Sequence, residues 1–171
     1  CNYKCLEPTL ILKFDASMAI SSAPHRHLAM TVDLLSGFSL FSGWPTDVLS
    51  NVLVSLRMTR FAPGQTIMFQ GPIPADFEPC VYFISEGQAA VLADPDFDLF
   101  GPPIAIQTDP RSLVQLPTAM PGSMLGQDSL MTECYSCHVV AVTEVRAFWI
   151  WKSDILTTFP PSLIQDMTAA A

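Results

Sequence analysis

The stretch from Gly126 to His138 holds the residues whose types and spacing could do chemistry. Cys134 and Cys137 are spaced C-x-x-C and His138 follows directly, which is the pattern of covalent haem attachment. Two thioethers and an axial imidazole would hold a haem, and the same side chains could instead serve as zinc ligands. However, His138 runs directly into Val139-Val140-Ala141-Val142, which predicts a strand, whereas haem attachment normally lies on a helix. We therefore interpret the pattern as a coincidence and predict no haem and no metal site.

Motifs of enzymes are missing from the sequence. It contains no G-x-S-x-G, P-loop, H-E-x-x-H or G-x-G-x-x-G pattern. The carboxylates concentrate in a Pro-rich segment, 94–110, which is typical of a solvated loop. We therefore predict a non-enzymatic protein without catalytic residues.

Composition limits the kinds of partner. The chain has 171 residues, a net charge of -8 and only 8 Lys and Arg, which are scattered, so nucleic acid is not an expected partner. No run of about 18 apolar residues occurs, so direct membrane insertion is not expected either. The 5 cysteines are irregularly spaced and odd in number, which favours reduced thiols and a cytoplasmic location. The first residue is Cys1 rather than Met, which is typical of a fragment or a processed product.

The first third of the chain has helical periodicity, and the rest reads as strands. Apolar residues recur at helical spacing up to a helix predicted over Asp47–Arg57, with Thr46 or Ser42 as a candidate cap. From Met58 onward, short β-branched and aromatic runs end at Gly or Pro, which is typical of a β-barrel or sandwich. The first predicted strand ends at Phe61. The others cover the ranges 66–71, 80–84, 88–93, 112–116, 138–143 and 145–151. Short helices are predicted over 126–132 and 152–159, with a helical tail over 162–167.

Five motifs in this order resemble the cyclic nucleotide-binding domain superfamily. The resemblance as a whole extends from Leu34 to Leu156. The motifs are Phe61-Ala62-Pro63-Gly64-Gln65-Thr66-Ile67, Gln70-Gly71 with Val81-Tyr82-Phe83-Ile84-Ser85-Glu86-Gly87, Pro121-Gly122-Ser123-Met124-Leu125-Gly126-Gln127, Val139-Val140-Ala141-Val142-Thr143-Glu144 and Ser153-Asp154-Ile155-Leu156. The resemblance implies an α+β fold: an antiparallel, jelly-roll-like β-roll flanked by N-terminal helices and a short C-terminal helix. We predict a linker-like helical lead-in at 1–33, the β-roll domain at 34–159 and a short tail at 160–171.

The lead-in carries a second resemblance. Its sequence from Phe14 to Arg26, followed by Leu28-Ala29-Met30 and Asp33-Leu34-Leu35, is similar to the linker that joins the pore of voltage-gated channels to their cytoplasmic nucleotide-binding domain. This resemblance implies a channel-like parent protein, with the domain at the cytoplasmic face of a membrane and the lead-in helices as a route to a homo-oligomer.

The resemblance also implies a ligand site. In the superfamily, backbone N–H groups of a short helix and a following Arg bind the cyclic phosphate, and a Glu after the Gly binds the ribose 2′-hydroxyl. Here Gln127 stands at the Glu position, and the Arg position falls at Ser136, or at Tyr135 or Cys137 with one residue of slack. The candidate ligand-binding residues are Gly126, Gln127, Asp128, Ser129, Ser136, Cys137 and His138.

The segment Gly126–His138 lacks the positive charge that would bind a cyclic phosphate. None of the residues at the Arg position is cationic, and Asp128 adds a negative charge where an anion would lie. His138 or Arg111 would be the alternative source of a cation. We predict that cyclic AMP and cyclic GMP bind weakly or not at all and that no other cofactor is held.

Taken together, these expectations predict a regulatory function. The predicted function is a non-catalytic regulatory domain with a degenerate phosphate-binding segment, which modulates a channel-like membrane protein through its parent chain or protein partners. Two alternatives stay open: a genuine cyclic AMP or cyclic GMP sensor with an atypical pocket, and a packing module of a larger assembly.

Overall fold

The computed structural model describes Leu35, residues 37–98 and residues 113–169. The lead-in at 1–33 and most of the acidic Pro-rich segment, together with Arg111, lie outside the described residues.

Helices enclose the domain at both ends of the described chain. A 3-10 turn at Ser39–Phe41 precedes helix α1, Thr46–Ser55. The sequence-based assignment of a cap to Thr46 or Ser42 is wrong, because Pro45 is the N-cap, with extended backbone and no side-chain cap. At the other end are α2, Lys152–Thr158, and α3, Pro161–Ala169.

Between these helices, the described residues form ten short strands. They are β1 Arg57–Phe61, β2 Thr66–Met68, β3 Gly71–Pro72, β4 Cys80–Glu86, β5 Ala89–Ala93, β6 Val114–Gln115, β7 Met124–Leu125, β8 Cys134–Tyr135, β9 His138–Ala141 and β10 Val145–Trp151. A second 3-10 helix, Gln127–Leu130, follows β7 and replaces the longer helix that the sequence predicts.

All pairings between these strands are antiparallel. The first sheet has the order β1-β10-β4-β7, the second has the order β2-β9-β5-β6, and β3 pairs with β8 alone. This architecture confirms the predicted α+β fold with an antiparallel β-roll flanked by helices.

The first sheet separates two apolar cores. Alternation along β4 places Val81 and Phe83 in the core that faces the helices, and Ile84 in the core inside the roll. Phe148 and Ile150 of β10 continue the helix-side core. The central strands are therefore buried on both faces, which makes them a rigid support for the loops that they carry.

Residues 160–169, which the sequence assigns to a tail, pack on the helix-side core. Leu163 and Met167 of α3 are fully buried there beside Ile155 and Phe159. The proposed domain boundary at 159 stays a prediction. None of the helices in the described part of the chain is long and apolar enough to cross a membrane.

Candidate functional site

Gly126 joins β7 to the second 3-10 helix and can hardly be replaced there. Its φ is +80°, a left-handed conformation that favours glycine. A Cβ at this position would lie 2.9 Å from the carbonyl oxygen of Cys80 and 3.0 Å from the ring of Tyr135. The tight approach of three chain segments therefore depends on a residue without a side chain.

Asp128 lies in the first turn of this 3-10 helix and is buried, with 7% of its surface exposed. Its Oδ1 accepts a hydrogen bond of 3.2 Å from the backbone N–H of Ser129, and its Oδ2 accepts a short one from the backbone N–H of Ser136. The carboxylate thus bridges the start of the helix to the segment between β8 and β9.

Ser129 closes the same turn from within. It is fully buried, and its hydroxyl donates to the carbonyl oxygen of Gly126 at 2.6 Å. Its backbone N–H is shared between that carbonyl, at 3.1 Å, and the Asp128 carboxylate. The polar groups of this turn therefore satisfy one another.

Gln70, which is not among the predicted site residues, also holds the backbone of Ser136. The amide nitrogen of Gln70 donates to the carbonyl oxygen of Ser136 at 2.8 Å, while its amide oxygen accepts from the backbone N–H of Asp94 at 2.8 Å. Ser136 is thus held through both of its backbone polar groups, by Asp128 and by Gln70. The sequence motif that begins with Gln70-Gly71 includes this glutamine. However, nothing in the motif indicates that Gln70 contacts Ser136, which lies 66 positions away.

Tyr135 is the second residue that sequence reasoning assigned no contact. Its hydroxyl donates to the carbonyl oxygen of Cys80 at 3.1 Å and accepts from the backbone N–H of Cys80 at 3.0 Å. Burial raises the pKa of Tyr135 far above that of an ordinary phenol, so the side chain is neutral. One of the positions where the superfamily resemblance places an Arg therefore holds an uncharged ring that is hydrogen-bonded to the first sheet.

Two further candidates, Cys137 and His138, lie outside the hydrogen bonds that Asp128 accepts. Cys137 is half-buried, and burial, with the Asp128 carboxylate as a further cause, raises the pKa of its thiol to about 11. His138 is the first residue of β9, and its ring lies against Phe69 at 5.1 Å between centroids. Burial lowers the pKa of His138, which favours the neutral imidazole.

Gln127 faces a different part of the molecule. It lines a cavity of about 500 Å³ on the helix side, together with Phe38, Trp44, Phe83 and Asp166. The structure thus groups Gly126, Asp128, Ser129 and Ser136 in one hydrogen-bonded unit and places Gln127 against the terminal helices. Whether any of the predicted residues binds a ligand stays a prediction.

Two cationic side chains in the described ranges pair with carboxylates outside this site. Arg146 pairs with Glu86 at 3.0 Å, and Lys152 pairs with Glu133 at 2.9 Å. Lys152 also donates to the carbonyl oxygen of Thr132, which lies beyond the end of the 3-10 helix. Within residues 35, 37–98 and 113–169, no group of three or more His, Cys, Asp and Glu is arranged to hold a metal.

Comparison with solved structures identifies the fold. The chain matches the cyclic AMP-bound regulatory domain of protein kinase A from Toxoplasma gondii with a TM-score of 0.69 at 17% identity, covering 85% of this chain and 50% of that one. It matches the regulatory subunit of a cAMP-independent protein kinase A from Trypanosoma cruzi bound to guanosine with a TM-score of 0.67 at 17% identity, covering 86% and 47%. It also matches the sensor domain of the transcriptional regulator DNR from Pseudomonas aeruginosa with a TM-score of 0.64 at 15% identity, covering 85% and 88%.

These likenesses show the fold of cyclic nucleotide-binding domains. The chain spans about half the length of the kinase regulatory proteins that it matches. The sequence itself matches no protein-family model and no curated protein.

Proposed function

We propose that this chain is a non-catalytic regulatory domain whose phosphate-binding segment is closed by its own carboxylate. The observation that carries the proposal is the contact of Asp128 with the backbone N–H groups of Ser129 and Ser136. Backbone N–H groups at this turn are the donors that an anionic ligand would need. Asp128 occupies them as an internal anion.

A cyclic phosphate would face two penalties here. It would have to displace Asp128, and a phosphate near that buried carboxylate would be repelled. It would also lack the cationic partner, since Ser136, Tyr135 and Cys137 stand where the resemblance places an Arg and none of them is cationic. Loss of one charge-assisted contact costs about 2–4 kcal/mol, or about 30- to 700-fold in affinity.

Titration of the protein with cyclic AMP and cyclic GMP in a calorimeter tests this proposal. We expect no saturable heat at ligand concentrations up to about 1 mM. Asp128→Asn, which removes the charge and keeps the shape, is the matched variant, and we expect weak binding to appear there first. Wild-type binding tighter than about 10 µM would contradict the closed site.

The channel-like parent belongs to the same proposal and rests on the sequence of the lead-in. Residues 1–33 would couple the domain to a membrane protein at its cytoplasmic face and provide the contacts of a homo-oligomer. Comparing the molar mass of the full chain with that of residues 34–171 by light scattering tests the oligomer. If the full chain and residues 34–171 each have the mass of a monomer, this role of the lead-in is contradicted.

A nucleoside sensor is the second candidate, and one comparison favours it. The Trypanosoma cruzi protein is a cAMP-independent regulatory subunit with bound guanosine, a ligand that carries no phosphate. A nucleoside needs no arginine and does not have to displace the Asp128 carboxylate. Guanosine in the same calorimeter decides between the two: saturable binding of guanosine alone supports a sensor, and its absence supports the ligand-independent domain.

A further inference from the structure

A second cavity, of about 530 Å³, opens between the first sheet and the β2–β3 segment. Residues of β1, β4 and β10 line one side, and residues of β2, β3 and the following loop line the other. Asp128 and Ser136 are not among its lining residues, while Tyr135 forms part of its wall. The cavity is therefore separate from the hydrogen-bonded unit around Asp128.

This cavity reaches from the surface into the core of the roll. Phe61, Ile67 and Met68 line its inner part and are buried, with at most 9% of their surface exposed. Phe69 and Phe77 line its mouth and are 69% and 66% exposed. The volume lies in the range of sites for small organic ligands. A small molecule can enter such an inlet and reach its buried floor, whereas a flat protein surface would reach only the two exposed rings.

Two indoles form a fixed part of the wall. Trp149 and Trp151 meet edge to face, with ring centroids 4.6 Å apart. The guanidinium of Arg57 lies 5.2 Å from the ring centroid of Trp149 and 5.9 Å from that of Trp151, and Arg57 itself does not line the cavity. The chain therefore supplies its own cation to these rings, and this contact holds both indoles in place for an uncharged ligand.

Polar groups of the wall already have partners within the chain. The hydroxyl of Tyr135 both donates to and accepts from the backbone of Cys80, and burial raises the pKa of Tyr82 and of Tyr135, so both phenols are neutral. Glu78 is the one charged residue among the described lining residues. It is exposed, and its Oε1 accepts from the backbone N–H of Ser153 at 3.0 Å. A charged ligand would thus lose its hydration shell in the cavity without gaining an ionic partner at its buried floor.

We propose that this cavity binds a neutral, apolar small molecule with one or two fused aromatic rings. The ligand rings would lie against Trp149 and Trp151 and cover part of Phe77. Removal of apolar surface from water drives such binding, and contacts between rings favour an aromatic ligand over an aliphatic one. The proposal does not depend on whether the segment around Asp128 is closed.

Three ligands that share a naphthalene body and differ in charge test the proposal. They are 2-naphthylmethanol, 2-naphthylmethylammonium and 2-naphthoate, and each is titrated into the full chain while NMR follows the indole N–H signals of the 3 tryptophans. We expect the neutral alcohol to bind with a Kd of about 0.5 mM or below, and each ion to bind at least about fivefold more weakly. Binding of either ion as tight as that of the alcohol, or no saturable change up to about 3 mM of the alcohol, would overturn the proposal.

The third tryptophan is an internal control for the location. Trp44 does not line this cavity but lines the cavity on the helix side. We expect the alcohol to shift the indole signals of Trp149 and Trp151 and to leave that of Trp44 unchanged. A shift of the Trp44 signal alone would place the alcohol in the helix-side cavity and would refute the assignment.

Variants test the wall of the cavity. Phe77→Ala removes an exposed ring at the mouth and should weaken binding of the alcohol about threefold, whereas Val54→Ala, which truncates an apolar residue that is 84% exposed on α1, should leave it unchanged. Glu78→Gln keeps an acceptor for Ser153 and should change the affinity for the neutral alcohol by less than about twofold. An unchanged affinity in Phe77→Ala, or a loss in Glu78→Gln as large as that in Phe77→Ala, would contradict the proposal. None of these variants touches Asp128, so their outcome is independent of the closed segment.

Discussion

Removing the carboxylate of Asp128 is the perturbation that most directly probes how the closed segment is held. In Asp128→Ala, the backbone N–H of Ser136 loses its acceptor, whereas that of Ser129 keeps the carbonyl oxygen of Gly126. A hydrogen bond to a charged group contributes about 1.5–3 kcal/mol, and a buried donor without a partner costs about 1–3 kcal/mol. The buried carboxylate also carries a desolvation cost that the substitution relieves.

The net expectation is a loss of about 2 kcal/mol in the free energy of unfolding of Asp128→Ala. Asp128→Asn should lose about half as much, because the amide oxygen can still accept from Ser136 without charge assistance. Urea denaturation followed by tryptophan fluorescence measures both. Asp47→Asn is the control, since Asp47 is exposed in the first turn of α1 and should change stability by less than about 0.5 kcal/mol. An Asp128→Ala variant as stable as the wild type would refute the bridging role.

The other predictions concern single positions near this segment. Gly126→Ala should lose about 2 kcal/mol more stability than Gly43→Ala, because both have a φ near +80° but only Gly126 has neighbours that a Cβ would meet; equal losses in thermal unfolding would contradict this. The thiol of Cys137, with its pKa raised to about 11, should react with iodoacetamide at pH 8 about a hundredfold more slowly than an unperturbed cysteine thiol; mass spectrometry of the labelled peptide gives the rate, and a normal rate would contradict the burial. His138 has a pKa below its unfolded value, so the unfolded chain binds its proton first and stability should fall as pH drops below about 6.5; His138→Gln should remove that part of the pH dependence, and an unchanged profile would contradict it.

The fold could be predicted because its signals are local. The Gly-terminated runs such as Val81–Gly87 and the ordered motifs depend on turn chemistry and on residue periodicity, which the sequence displays. The boundaries were harder. Pro45 takes the N-cap position that the sequence assigned to Thr46 or Ser42, and α3, Pro161–Ala169, begins one residue before the predicted helical tail at 162–167 and ends two residues after it.

The site could be predicted only in part, because its contacts join distant residues. The absence of a cation around Ser136 is visible in the sequence, and so is the negative charge of Asp128. That this charge accepts from Ser136, eight residues away, depends on the return of the chain through β8. The contacts of Gln70 and of Tyr135 likewise follow from the pairing of β3 with β8, which no local pattern specifies.

A scalar coupling through the hydrogen bond between Ser136 and Asp128 tests the central claim most directly. In a labelled sample, NMR detects this coupling between the backbone nitrogen of Ser136 and the carboxylate carbon of Asp128. We predict that the coupling is present in the free protein and unchanged by about 1 mM cyclic AMP or cyclic GMP. Loss of the coupling, with saturable shifts of the Ser129 and Ser136 amide signals on adding either nucleotide, would show that the site is open and would contradict the account.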